Sequence, residues 1–81
     1  MMVNGLNSDS VDLDLRGLKC PLPAMKARKA LQSMTCGQVL RVLATDPMSI
    51  IDIPHMVSET KNELLCQSRQ GDILSFEIRR L

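Results

Sequence analysis

Apolar and polar residues alternate strictly from Val11 to Leu15, with Val11, Leu13 and Leu15 on one side and Asp12 and Asp14 on the other. That period of two predicts a half-buried strand. From Pro21 to about Met34 the spacing changes, and Ala24, Ala27, Ala30, Leu31 and Met34 recur as one stripe of a helix while Lys26, Lys29 and Ser33 fall away from it. Gly37, within Thr35-Cys36-Gly37-Gln38, is placed to cap the end of this helix and leaves Cys36 in an exposed loop. Val39 to Ala44 is apolar and β-branched enough for a central strand covered on at least one face.

Asp46 and Pro47 then read as the cap and opening of a second helical segment, Pro47 to Thr60, with Met48, Ile51, Met56 and Val57 as its buried side. Pro54 lies inside that segment, where the loss of a helical bond costs about 3 kcal/mol, so a kink or a break near Asp52 to Pro54 is expected. Two further strand-like runs, Leu64 to Arg69 and Ile73 to Arg80, flank Gln70-Gly71-Asp72 and suggest an antiparallel hairpin with Leu74, Phe76 and Ile78 turned inward. The element order β-α-β-α-β-β predicts an α/β (α+β) two-layer sandwich, a four-stranded mixed sheet with two helices on one face. Residues 1–10 show no period and read as a flexible tail, leaving 11–81 as a single domain.

The chemistry concentrates in Arg16 to Leu31, RGLKCPLPAMKARKAL. With Cys20 as N-cap, Pro21 takes the first helical position, Leu22 carries the free amide nearest the sulfur, and Pro23 stays within the first turn. A thiolate there meets the positive end of the helix dipole, and Lys19, Lys26, Arg28 and Lys29 add positive charge with no acid inside the motif. The expectation is a reactive Cys20 titrating below the ordinary thiol value of about 8.5. A buried, inert cysteine before a helix is the plainer alternative. The basic residues are by default a solvated helix face and become a candidate docking surface because they start beside Cys20.

Composition narrows the function. Eighty-one residues, a net charge of +1 and one aromatic residue, Phe76, give neither the basic footprint nor the stacking platforms of nucleic-acid binding. Cys20, Cys36 and Cys66 form no CxxC pair and cannot all pair, which fits a reducing cytoplasm better than an oxidising compartment. A single histidine, His55, argues against a zinc site and is a weak candidate for a general base. Met25, Met34, Met48 and Met56 read as core filling in a chain poor in aromatics. No apolar run approaches the roughly 18 residues of a membrane span, and MMVNGLNSDS lacks the parts of a signal peptide, so no membrane association is expected.

Cys20-Pro21-Leu22-Pro23, preceded by Leu15-Arg16-Gly17-Leu18-Lys19 and followed by Arg28-Lys29, resembles the TusA-like, or SirA-like, family of sulfur carrier proteins. A second block, Asp46-Pro47 with Asp52-Ile53-Pro54, resembles the same family, and the match runs from about Val11 to Leu81. The resemblance implies a compact α/β sandwich of the type also seen in the C-terminal domain of translation initiation factor 3. It further implies a sulfurtransferase acting as a carrier, in which Cys20 accepts sulfane sulfur as a persulfide. The donor would be a cysteine desulfurase or a rhodanese, and the sulfur would pass to a downstream protein in tRNA thiolation, molybdenum cofactor supply or sulfur oxidation. No cofactor beyond the covalent sulfur, no direct nucleic-acid contact and a cytoplasmic monomer are expected. Two alternatives stand beside this: a non-catalytic binding module in which the motif only starts a helix, and a thiol redox protein pairing Cys20 with a second cysteine.

Overall fold

The computed structural model describes residues 10–81. Its elements are β1 (Ser10–Asp14), α1 (Leu22–Ser33), β2 (Val39–Ala44), α2 (Ser49–Glu59), β3 (Glu63–Gln70) and β4 (Ile73–Arg79). They form one four-stranded sheet of order β1-β2-β4-β3, with β1 parallel to β2 and the other neighbours antiparallel. The expected mixed sheet with two helices is therefore present. Of the expected tail, residues 1–9 lie outside the described residues, and Ser10 already belongs to β1.

Register explains how the alternating pattern becomes a core. Val11, Leu40, Ile78 and Leu64 stand side by side across the four strands, and Leu13, Val42 and Phe76 form the next apolar row. Between them runs a polar row, Asp12, Arg41, Glu77 and Cys66, on the opposite face. Successive side chains of a strand point to opposite faces, so the apolar rows share one side. Against that side pack Ala27 and Leu31 of α1 and Ile53, Met56 and Val57 of α2, in one buried cluster that includes Phe76. The other face is solvated, and Arg79 lies 3.3 Å from Glu63 across it.

The hairpin turns at Gly71, whose φ of 64° suits the first position of a two-residue loop. Gly37, by contrast, does not cap α1. The last turn closes with Met34 N–H on the Leu31 carbonyl, and Gly37, at φ 93°, donates instead to the Arg80 carbonyl at 2.7 Å. It serves the turn into β2, which the sheet fixes more strongly than the helix end does.

Of the kink or break expected at Pro54, the break does not occur, and the expected phase of α2 is corrected. The helix runs unbroken through Pro54, because burial of Ile53, Met56 and Val57 on one face offsets the missing bond. Its phase also differs. Met48 and Ile51 are 46% and 62% exposed, while Ser49 and Ile53 face inward, since the helix starts two residues after Pro47 rather than at it. Of the four methionines read as core, Met34 and Met56 are buried and Met25 and Met48 are exposed.

Phe76→Ala is expected to lower the unfolding free energy by about 3–5 kcal/mol, measured by urea denaturation. Cys66→Ser should stay within about 0.5 kcal/mol, because Cys66 is exposed on the solvated face rather than packed.

Candidate functional site: a cysteine flanked by two aspartates

Because β1 and β2 are parallel neighbours, the turns that leave them emerge side by side at the same edge of the sheet. The first turn is tied to the second strand's end: Leu15 N–H donates to the Leu43 carbonyl at 2.8 Å, and Gly17 N–H to Thr45 Oγ1 at 2.9 Å. Gly17 has a φ of 86°, a backbone shape that side-chain-bearing residues rarely adopt. Lys19 closes the turn by accepting from Leu22 N–H at 2.8 Å, and the chain then enters α1 through the cis Cys20-Pro21 bond.

Cys20 thus meets the β2–α2 connection. Its backbone N–H donates to Asp46 Oδ2, and its thiol donates to Asp52 Oδ2 at 2.8 Å. Asp46 also accepts from Met48 N–H at 3.0 Å, so one carboxylate caps the approach to α2 and fastens the Cys20 backbone to it. The amides of Cys20 and Met48, helped by Lys19, hold the Asp46 carboxyl below the usual carboxylate range. Asp52 comes from the first turn of α2, itself anchored by Asp52 N–H on the Met48 carbonyl at 2.9 Å.

This arrangement reverses the expected electrostatics of Cys20. Its thiol is held above the ordinary value, first by the hydrogen bond to Asp52, then by desolvation, and then by the negative charges of Asp52 and Asp46. The acids absent from the motif arrive from 26 and 32 residues further along the chain. The cap assignment also moves by one residue. Pro21 is the N-cap, α1 begins at Leu22, and Pro23 sits in its first turn with its ring buried in the core. The Leu22 amide is engaged by Lys19 and does not serve the sulfur, while the Leu22 side chain is 41% exposed.

Cys20 is exposed at one end of a groove of about 270 Å³ between the helices. Ala24, Met25 and Arg28 line it from α1; Asp52, His55 and Glu59 line it from α2. His55 Nε2 lies 3.3 Å from Glu59 Oε2 at the exposed rim, away from any contact with the sulfur that would make it a base for Cys20. Of the basic residues expected beside the thiol, Arg28 lines the groove. Lys26 and Lys29 are exposed on α1 outside that lining, and Lys19 borders the neighbouring hollow with Thr45 and Asp46. Asp46 and Asp52 are the site residues that sequence reasoning missed. Their signal was the second block of the family resemblance, in which Asp46 was read only as a cap.

The other cysteines are elsewhere. The 12 residues of α1 separate Cys20 from Cys36 by about 18 Å, far beyond disulfide reach. Cys36 Sγ instead lies 3.6 Å from the Leu81 carbonyl oxygen. Cys66 pairs with Glu77 on the solvated face of the sheet, with the core between it and the helices.

The site is an exposed thiol at the entry to a helix, beside an open groove on a small two-layer α+β domain. Comparison with known proteins gives that site a family. Residues 11–80 match the family described as Sulfurtransferase TusA. The sulfur carrier protein TusA of Allochromatium vinosum is 44% identical over 69 residues, covering 85% of this chain and 91% of the relative. The putative sulfur carrier protein YrkI of Bacillus subtilis is 39% identical over 75 residues, covering 93% and 99%. The crystal structure of a SirA-like protein from Desulfitobacterium hafniense superposes with a TM-score of 0.72 at 23% identity, covering 84% of this chain and 93% of that one, and so shares the fold. The chain belongs to the TusA family of sulfur carriers.

The raised thiol predicts a pH profile. The thiolate is the species that alkylates, so the rate of Cys20 modification by iodoacetamide should rise with pH to a midpoint above the ordinary thiol value of about 8.5. A midpoint at or below that value would show that the helix end and lysines outweigh Asp52 and Asp46.

Proposed function

We propose that Cys20 carries sulfur as a persulfide, received from a cysteine desulfurase or a rhodanese-type donor and passed to a downstream acceptor protein. The observation that carries this reading is the exposure of the Cys-Pro-x-Pro cysteine at the mouth of an open groove, on a chain that belongs to a sulfur carrier family. An exposed sulfur can be reached by a second sulfur on a partner, as attack on the sulfane atom requires. Pro23 is buried and Asp46 grips the Cys20 backbone, so the sulfur is presented from a fixed base rather than from a loose loop.

The donor surface follows from the same geometry. Met25 and Arg28 line the groove, and Lys19, Lys26 and Lys29, exposed outside that lining, complete the proposed basic collar. An acidic donor would be steered by this positive collar, which raises the encounter rate more than the affinity and suits a partner that must leave after each transfer. The pathways the carrier feeds, in tRNA thiolation, molybdenum cofactor supply or sulfur oxidation, would be set by which acceptors fit this collar.

Incubated with a cysteine desulfurase and cysteine, the chain should gain one sulfur that reductant removes, read by intact mass. Cys20→Ser should gain none, while Cys36→Ser and Cys66→Ser should load as the parent does. Sulfur on the Cys20→Ser chain would assign the role to another cysteine.

The collar has its own test. Changing Lys26 and Lys29 together to Glu should slow loading by the desulfurase several-fold and weaken its salt dependence, with alkylation of Cys20 by iodoacetamide as the control for the thiol itself. Unchanged loading from low to moderate salt would leave the two lysines as a solvated surface.

A further inference from the structure

A thiol that must attack another sulfur gains reactivity from nearby cations, yet the side chain in contact with Cys20 Sγ is the carboxylate of Asp52, at 2.8 Å. The contact is fixed from both sides. Asp52 belongs to the first turn of α2, next to the fully buried Ile53, and the Cys20 backbone is tied to Asp46. The charged groups around the sulfur are Arg28 from α1, Asp46 from the β2–α2 connection with Lys19 opposite it, and Asp52, His55 and Glu59 from α2. Asp46 is occupied by two backbone amides, and Glu59 faces His55. Asp52 alone among them meets the sulfur through its side chain.

We propose that Asp52 sets how tightly Cys20 holds its sulfur, stabilising the empty carrier by accepting the Cys20 S–H and disfavouring the loaded carrier by facing its persulfide anion. The inference rests on Cys20 as the sulfur acceptor. In the exchange, Cys20–S–H and a donor persulfide anion, R–S–S⁻, give Cys20–S–S⁻ and R–S–H. The bond formed joins Cys20 Sγ to the sulfane sulfur, and the donor's S–S bond breaks with its electron pair remaining on the donor sulfur. That sulfur takes the proton released by Cys20, so nothing is oxidised or reduced overall and no external reagent is needed. Asp52 has a hydrogen-bond donor in the empty state and a like charge in the loaded one. Both effects lower the loaded-to-empty ratio, so the carrier binds its cargo weakly enough to give it away.

The test equilibrates the full chain with glutathione persulfide and glutathione at a fixed ratio near neutral pH, and reads the loaded-to-empty ratio by intact mass. Asp52→Asn keeps the shape and removes the charge; it should raise that ratio about fivefold or more, the effect of removing a like charge about 4 Å away at a wet surface. Asp52→Ala should do the same, which keeps the test intact if one variant folds poorly. In both, the midpoint for alkylation of the empty chain should fall relative to the parent, with circular dichroism showing that the variant stays folded, since unfolding would also return the thiol toward its ordinary value. A parent chain that loads at Cys20, with variants whose ratio stays within about twofold of it, would overturn the role of Asp52 and leave the carrier reading standing. A parent chain that takes no sulfur at Cys20 would overturn both.

Discussion

The parallel pairing of β1 with β2 is the constraint on which the site depends. It places the ends of both strands together, with Asp14 beside Leu43, and so obliges the two following turns to share one edge of the sheet. Each turn is short and leads into a helix, and the two helices pack against each other over the same apolar face. Cys20 lies just before α1, and Asp52 lies in the first turn of α2. Their contact across 32 residues of sequence is a consequence of topology, held in place by the Thr45 and Asp46 bonds to the first turn. Crevices at the carboxyl ends of parallel strands are recurrent ligand sites for this reason, and the Cys20 groove opens beside such an end.

The electrostatics of the site follow from the same topology. A reading confined to the motif sees Lys19, Lys26, Arg28 and Lys29 and a helix N-terminus, all of which favour a thiolate. Distance decides otherwise. A carboxylate in hydrogen-bond contact outweighs exposed lysines outside the groove lining, because interactions between exposed charges are weakened by water and salt. The Cys20 thiol is therefore held up. The proposed roles divide accordingly, the near acid Asp52 acting on the sulfur and the basic residues on partners.

Much of the fold was legible because its signals are local. The alternation of Val11 to Leu15, the apolar run of β2 and the Gly71 turn each depend on neighbours a few residues away, and each matches the observed element within a residue or two. The α2 helix was less legible. Its continuity through Pro54 and its inward phase at Ser49 and Ile53 are set by the sheet beneath, which the propensity of a proline or the spacing of methionines does not report. Cys20 as the centre of the site was visible from its prolines and its turn. Asp46 and Asp52 were visible as residues but not as its neighbours, since the pairing of β1 with β2 that brings them together is a long-range fact.

The central claim is that this topology makes Cys20, of three exposed cysteines, the one that carries sulfur. Tandem mass spectrometry of peptides from the sulfur-loaded wild-type chain, with persulfides trapped by alkylation before digestion, tests it in a single sample. The account predicts the added sulfur on the peptide containing Cys20, with Cys36 and Cys66 recovered as simple alkylated thiols. Sulfur spread over all three cysteines, or concentrated on Cys36 or Cys66, would contradict it.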